Sequence, residues 1–423
     1  MAVMIYLNKN SFIVTAYVAK KACGCHLLAD RSLESIYDQD LNRFPLNLTK
    51  TTFDDQNSIA TASLLGIWES KVKKTNSRGC ILLNKESEEI IDYSFPIDSK
   101  SIDVPIKIDL LDEGELDMAF DLAFDRDGKY IKKTRALLVY HKDTLVREEY
   151  AEGFDKDTRI LGWSMNKSIV HALIGILVKD DKVDIADANL FKAWENDERK
   201  NISIDHLLKM SSGLDWDEDY TKKSDATILL FEEYDCAEFA VDQPLEADPG
   251  SYWEYSSGTS NILSKYIRNQ FDTQEAYLKF PYDSLFSKIG MNSMVLDTDQ
   301  SGNYILSSYG YATPRDWAKF GLLYLNKGEA PNGEQVFPEL WTEYAATPAE
   351  QSKDKKYGAH FWLNAGGSFP DVPRDMYSCN GFQGQFVFII PSKDLVVVRM
   401  GLTEGDNYDK NGVIKHIVDS VTK

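Results

Sequence analysis

Hydrophobic positions change their rhythm near residue 113. Before that point short apolar runs alternate with polar turns and end in the charged, proline-containing stretch "SFPIDSKSIDVPIKIDLLDEGELD", which predicts a boundary between residues 1–112 and 113–423. Beyond it the pattern becomes regular. "ELDMAFDLAF" carries helical spacing, "DRDGKY" reads as a turn, and "TRALLVYH" and "LVREEYAEGF" read as a hairpin closed by "KDT". Next comes "RILGWSMNKSIVHALIGILV", whose "SIVHALIGILV" has helical length and is apolar on every side, so it belongs in the interior. A mainly helical insertion follows over about residues 165–300. In it "DHLLKMSSGL" predicts a helix ending at Gly213, "DATILLFEEYDCAEFAVD" has helical spacing, and the acidic "DWDEDY" between them reads as an exposed loop. Near the end, "GQFVFIIPSKDLVVVRMG" predicts two strands around a turn and "NGVIKHIVDSVTK" a closing helix. Helices at both ends of this region, with strands beside each, predict an α+β fold: an antiparallel sheet flanked by helices and interrupted by a helical insertion.

Composition narrows the function classes. The 423 residues are 43% hydrophobic and 12% aromatic, ample for a sizeable core and two or three domains. Lys and Arg number 47 against 67 acidic residues, a formal charge of -20 with no dense basic block, so nucleic acid is not an expected partner. Five cysteines are few, odd in number and scattered, which argues against a disulfide framework. Cys23 and Cys25, next to His26, are expected as small buried residues, because a metal there needs further ligands at suitable spacing. None of the six histidines is paired at ligand spacing, and neither a P-loop, a dinucleotide glycine pattern nor a G-x-S-x-G elbow occurs; no metal or cofactor is expected. The longest apolar run near the N-terminus, "FIVTAYVA", is eight residues, too short to span a bilayer, and no leader or anchor is expected in the chain as it stands.

The candidate chemistry lies in "SMNK". Ser-x-x-Lys occurs four times, starting at Ser70, Ser164, Ser352 and Ser420, and only Ser164 stands where a turn feeds a buried helix. Side chains at i and i+3 share a helical face, so the Lys167 amine can approach the Ser164 hydroxyl. An ordinary lysine, with pKa about 10.4, cannot accept a proton at neutral pH; desolvation lowers that value and makes a general base of it. In the first turn Ser164 also offers a backbone N–H for an oxyanion hole. The competing reading is a helix cap followed by a solvated lysine. Downstream, "DPGSYWEYSSGTSNILSKYI" places Tyr255 and Ser257 two apart on one side of an extended segment, where the tyrosine can relay a proton or simply pack. "SCNGFQGQFVFIIP" puts glycines at the mouth of a buried strand, where the N–H of Phe382 after Gly381 can be the second oxyanion donor; a plain turn competes. Trp163, Trp216, Tyr220 and Trp253 can wall an apolar acyl pocket or serve only packing.

In order, "SMNK", "YSS" and "NGFQGQ" resemble the three motifs of the serine β-lactamase and penicillin-binding protein superfamily, closest to the class C-like branch with esterases and 6-aminohexanoate-dimer hydrolases. The likeness spans about residues 113–423. It implies a β-lactamase/transpeptidase-like fold, with Ser164 as acylated nucleophile, Lys167 and Tyr255 as proton-transfer partners, and the N–H groups of Ser164 and Phe382 as oxyanion hole. The first hundred residues resemble the extension that some bacterial members carry after a hydrophobic leader; this implies packing on the catalytic domain and, if a leader precedes the chain, an exported, tethered enzyme. Two departures matter. Ser257 stands where the β-lactamase pattern has an asparagine, and the stretch Ser378, Cys379, Asn380 and Gly381 stands where it has Lys-Thr-Gly, with no cation for a substrate carboxylate. The resemblance thus implies an esterase or amidase acting on uncharged small substrates, with Ser257, Asn380 and Gly381 beside them. A penicillin-binding D-amino peptidase, a weak β-lactamase and a catalytically idle scaffold remain alternatives, and the oligomeric state is open.

Overall fold

The computed structural model describes residues 2–84, 90–93, 105–106, 111–126, 132–403, 405 and 407–421, with side chains described from residue 10 onward. Most of the connector at 94–117 and of the turn at 125–130 therefore lies outside the described residues. The chain opens with a helix at Ala2–Ala22, which contains the run "FIVTAYVA"; among the described residues no helix is long and apolar enough to cross a membrane. Strands β1 (Thr49–Asp54), β2 (Ile59–Leu64), β3 (Trp68–Thr75) and β4 (Gly79–Leu82) then form an antiparallel sheet in sequential order.

The second region is built on a six-stranded sheet. The helix Glu113–Ala123, capped by the Asp112 carboxylate, leads into the hairpin β5 (Thr134–His141) and β6 (Thr144–Tyr150). Three short strands, β7 (Ile160–Leu161), β8 (Val295–Leu296) and β9 (Gly310–Ala312), make a small separate sheet. β10 (Trp362–Leu363), β11 (Tyr377–Gly381), β12 (Gln385–Ile390) and β13 (Leu395–Gly401) complete the large one, in the antiparallel order β10-β11-β12-β13-β5-β6. The hydrophobic alternation along its strands serves two cores at once. Leu137, Val139, Phe386, Phe388 and Val397 meet the helices Glu113–Ala123 and Lys410–Ser420, whereas Ala136, Leu138, Val387, Val396 and Val398 face the helical region that holds Asn166–Lys179. These elements form the β-lactamase/transpeptidase-like α+β architecture.

Several expectations need correction. The helix in "DHLLKMSSGL" is only Ile204–Leu208; Gly213, at φ +77°, lies in the loop beyond it. "DATILLFEEYDCAEFAVD" forms two helices, Asp225–Phe231 and Cys236–Val241, because the Asp235 carboxylate accepts the Glu238 N–H and starts a new one. Helices also continue past residue 300: Pro314–Leu325 packs on the large sheet through Gly321, which sits against Val387 and Val396. Cys23 is not an isolated small residue. It is disulfide-bonded to Cys80 across 57 residues, while Cys25, Cys236 and Cys379 are free and buried. A single long-range bridge leaves no spacing pattern in a sequence, since only the fold brings its ends together.

Buried charges join the N-terminal elements to the rest. Lys20 reaches Asp297 at 2.6 Å and donates to the Cys80 carbonyl, while the other Asp297 oxygen accepts the Cys80 N–H at 2.8 Å. Asp40 is enclosed by Lys21 (3.3 Å), Arg31 (2.7 Å) and, from β5, Arg135 (2.8 Å). Burial alone would raise the Asp40 carboxyl, but the charges of Arg135, Lys21 and Arg31 hold it well below the usual carboxylate range. A carboxyl so depressed contributes stability that is present above its unfolded pKa and is lost as pH falls through the folded value. Replacing it leaves three cations without their counter-charge. Asp40→Asn should lower unfolding free energy by about 3–5 kcal/mol in urea titration at pH 7; a loss below about 1 kcal/mol would contradict this account of the junction.

Candidate active site

Close backbone approach builds the turn that carries Ser164. β7 runs into the 3-10 turn Trp163–Met165, and the helix Asn166–Lys179 follows at once. Trp163 adopts φ +50°, a left-handed conformation that bulky residues avoid, and its ring is held by Tyr17, Tyr309 and Phe382 at centroid distances of 6.2, 5.7 and 5.7 Å. A Cβ on Gly381 would lie 2.1 Å from the Gly162 carbonyl oxygen, and one on Gly162 would lie 2.4 Å from the Trp317 ring. Only glycines let the end of β11 meet the serine turn.

Ser164 is half-buried and Lys167 is buried one turn further on. The Lys167 amine donates to Ser164 Oγ (3.2 Å), Ser257 Oγ (3.0 Å) and the Ser307 carbonyl (3.0 Å). Burial pushes its pKa down to about 8, against the opposing charge of Glu218. The Tyr255 hydroxyl lies close enough to Ser164 for the two to interact, and its ring centroid lies 4.9 Å from the Lys167 amine. Burial, with the Glu218 charge, raises the Tyr255 phenol well above its ordinary value, only partly offset by the interaction with Ser164. Ser164, Lys167 and Tyr255 are thus brought together.

Glu218 was not among the expected residues. Its neighbours Asp217 and Asp219 do behave as an exposed acidic loop and pair with Lys222 at 2.7 and 3.8 Å. Glu218 turns inward instead. Its carboxylate accepts from Trp216 Nε1 (2.5 Å), Tyr220 Oη (2.8 Å), Ser257 Oγ (2.6 Å) and the Ser257 N–H (2.8 Å). The alternation Trp216-x-Glu218-x-Tyr220, aromatics at i±2 around a carboxylate, was the available signal that one side of this loop faces inward.

The expected substrate-facing set is sorted by the fold. A cleft of about 660 Å³ is lined by Ser164, Tyr220, Tyr255, Asn380, Gly381 and Phe382, with Trp362, Phe369, Phe386 and Tyr408 adding aromatic wall. Ser257 is not on it: it is fully buried and opens the helix Ser257–Arg268, behind the Ser256 cap, instead of continuing an extended segment with Tyr255. Trp216 packs on Gly258 and bonds Glu218, and Trp253 packs on Tyr357 and Trp362, so neither lines the cleft. Trp163 lies on its far side, in a second cavity. The β11 stretch supplies no cation, yet Arg43, Lys356 and Lys410 reach the cleft from elsewhere in the chain. Among the described residues no group of three or more His, Cys, Asp or Glu is placed to hold a metal ion.

Residues 128–416 match the model of the family described as Beta-lactamase. The chain belongs to that family. Within the beta-lactamase family it is similar to the 6-aminohexanoate-dimer hydrolase of Paenarthrobacter ureafaciens, at 24% identity over 292 residues, 63% of this chain and 72% of that one. Its fold matches a Bacillus anthracis structure named for the same activity (TM-score 0.59, 22% identity, 68% of this chain and 79% of that one) and a family VIII carboxylesterase (TM-score 0.57, 15% identity, 73% and 96%). An octameric penicillin-binding protein homologue from Pyrococcus abyssi also matches (TM-score 0.53, 16% identity, 71% and 76%). The beta-lactamase-family chain thus shares its fold with proteins named as a 6-aminohexanoate-dimer hydrolase, a carboxylesterase and a penicillin-binding protein homologue.

Because Glu218 opposes the desolvation of Lys167, removing its charge lowers the lysine pKa further. Titration of the Lys167 side chain by NMR should give a midpoint near 8, shifted to lower pH in Glu218→Gln; an ordinary lysine midpoint would refute the burial argument.

Proposed function

We propose that the chain hydrolyses ester or amide bonds through an acyl-enzyme on Ser164. The observation that carries this reading is the buried Lys167 amine, 3.2 Å from Ser164 Oγ and with a pKa lowered to about 8. A substantial fraction of such an amine is neutral near pH 8 and can accept the hydroxyl proton as Oγ attacks the substrate carbonyl. The Oγ–C bond forms and the negative charge collects on the carbonyl oxygen. The N–H groups of Ser164 and Phe382 are its proposed donors, supported by the Gly162–Gly381 approach that brings the two segments together. Tyr255, whose raised pKa keeps the phenol protonated, suits the relay of a proton to the departing oxygen or nitrogen as the scissile bond breaks. Water then attacks the acyl-enzyme, giving up a proton through the same groups, and releases the acid and free Ser164.

Further features support the choice of substrate. Asn380 Oδ1 is buried beside the cleft without a protein partner among the described residues, suited to accept a substrate N–H. Lys356 and Lys410 favour a substrate with an anionic group over the uncharged one that the β11 stretch implied. Ser257 acts as a positioning residue, since it touches Lys167 and Glu218 and is closed to solvent. The Cys23–Cys80 bridge supports an oxidising compartment, in keeping with export.

Intact mass after a fluorophosphonate or a p-nitrophenyl ester should show one adduct on the wild type, mapped to Ser164, and none on Ser164→Ala. An adduct elsewhere would sink the mechanism. With p-nitrophenyl esters kcat/KM should rise with pH as Lys167 loses its proton near pH 8, and Lys167→Ala or Tyr255→Phe should lower it by about 10²–10⁴; a stable penicillin adduct would favour a peptidase instead.

A further inference from the structure

Ser164 stands in the wall of two cavities. One is the cleft already described, open and carrying three cations. The other, about 370 Å³, lies beneath the N-terminal elements; most of its lining side chains are apolar, with Lys222 and the Arg43 it shares with the cleft also on its wall. Ile13 and Tyr17 of the first helix and Phe44 of the following loop form one side of it; Leu230 and Phe231 of the helical region form the opposite side, and Trp163 its inner end. Tyr17 stacks on Trp163 at 6.2 Å and meets Phe231 edge-on at 6.2 Å, so the extension is fitted to the wall and does not merely lie over it. Phe382, stacked on Tyr220 at 6.2 Å, stands between the two spaces and lines both.

We infer that the extension completes the active site: with Leu230 and Phe231 it forms an acyl pocket for a hydrocarbon chain. This rests on the hydrolase reading of Ser164. A carbonyl attacked by Ser164 has two substituents, and the two cavities offer each a different environment. The larger cleft, with Lys356, Lys410, Asn380 and Gln383 on its wall, admits water and lets a polar leaving group depart. The apolar cavity retains what stays attached to Ser164, the acyl chain, because every methylene moved there from water contributes about 0.8 kcal/mol. Its volume falls in the range of about 300–1,000 Å³ usual for small-molecule sites. The substrate class is therefore an ester or amide with an aliphatic acyl group of medium length and a polar, anionic leaving portion.

The test is kcat/KM for p-nitrophenyl esters from acetate to dodecanoate in the full-length protein. The wild type should gain up to about fourfold per methylene until the pocket is filled. In Ile13→Trp, which fills the cavity, the octanoate-to-acetate ratio should fall at least tenfold. Phe44→Ala should lower the same ratio by removing wall; Phe44 is 57% exposed, so this variant keeps the test alive if the tryptophan disturbs folding. A ratio unchanged in a folded variant, or a wild type that prefers acetate, overturns the acyl pocket while leaving the hydrolase reading intact. Failure of Ser164 to acquire any acyl group would instead overturn the hydrolase reading, and the pocket with it.

Discussion

Keeping a lysine amine out of water at the foot of a helix is the constraint that organises this site. An ammonium there is disfavoured by burial, and its three donors are met by Ser164, Ser257 and Ser307. A carboxylate touching Lys167 directly would restore an ordinary lysine, and no carboxylate at all would depress it further. Glu218 acts from one hydroxyl away, through Ser257, and the result lies between these limits, near 8. The surrounding architecture keeps that spacing. The Ser256 cap starts the helix that presents Ser257, Asn261 binds the Ser307 hydroxyl, and Trp216 and Tyr220 anchor the Glu218 carboxylate.

The same economy of buried charge governs how the extension is held. Asp297 ties Lys20 to β4, and Asp40 ties Lys21 and Arg31 to β5. Breaking such a cluster is costly, although exchanging it for apolar contacts is not. Its effect is to penalise any docking that leaves one partner alone. That selectivity matters because the docked face carries Tyr17 to Trp163, one residue from Ser164.

Much of this was legible from the chain. The continuous apolar runs of β5, β12 and β13, and the apolar helix after Ser164, are local patterns, and local patterns survive in sequence. Ser164, Lys167 and Tyr255 were legible because "SMNK" and "YSS" have fixed spacing in a known order. Glu218 was hidden in an acidic loop where the other three carboxylates, Asp215, Asp217 and Asp219, are at the surface, and only its inward turn distinguishes it. Trp216 and Trp253 were drawn toward the cleft by their size, but a large ring near a site packs behind it as readily as in front. The Cys23–Cys80 bridge and the reach of Arg43 into the cleft depend on contacts between distant segments, for which no periodicity exists.

The Lys20–Asp297 pair has a further consequence, in time and not in space. Its partners are 277 residues apart. On the ribosome Lys20 is made long before Asp297, so the carboxylate that neutralises it appears only 277 residues later. At the usual about 5–20 residues per second, Lys20 waits tens of seconds for that carboxylate, although its other partner, the Cys80 carbonyl, follows within 60 residues. Whatever shields the lysine in the interval, the helix can be held by β1–β4 well before its buried charge is neutralised.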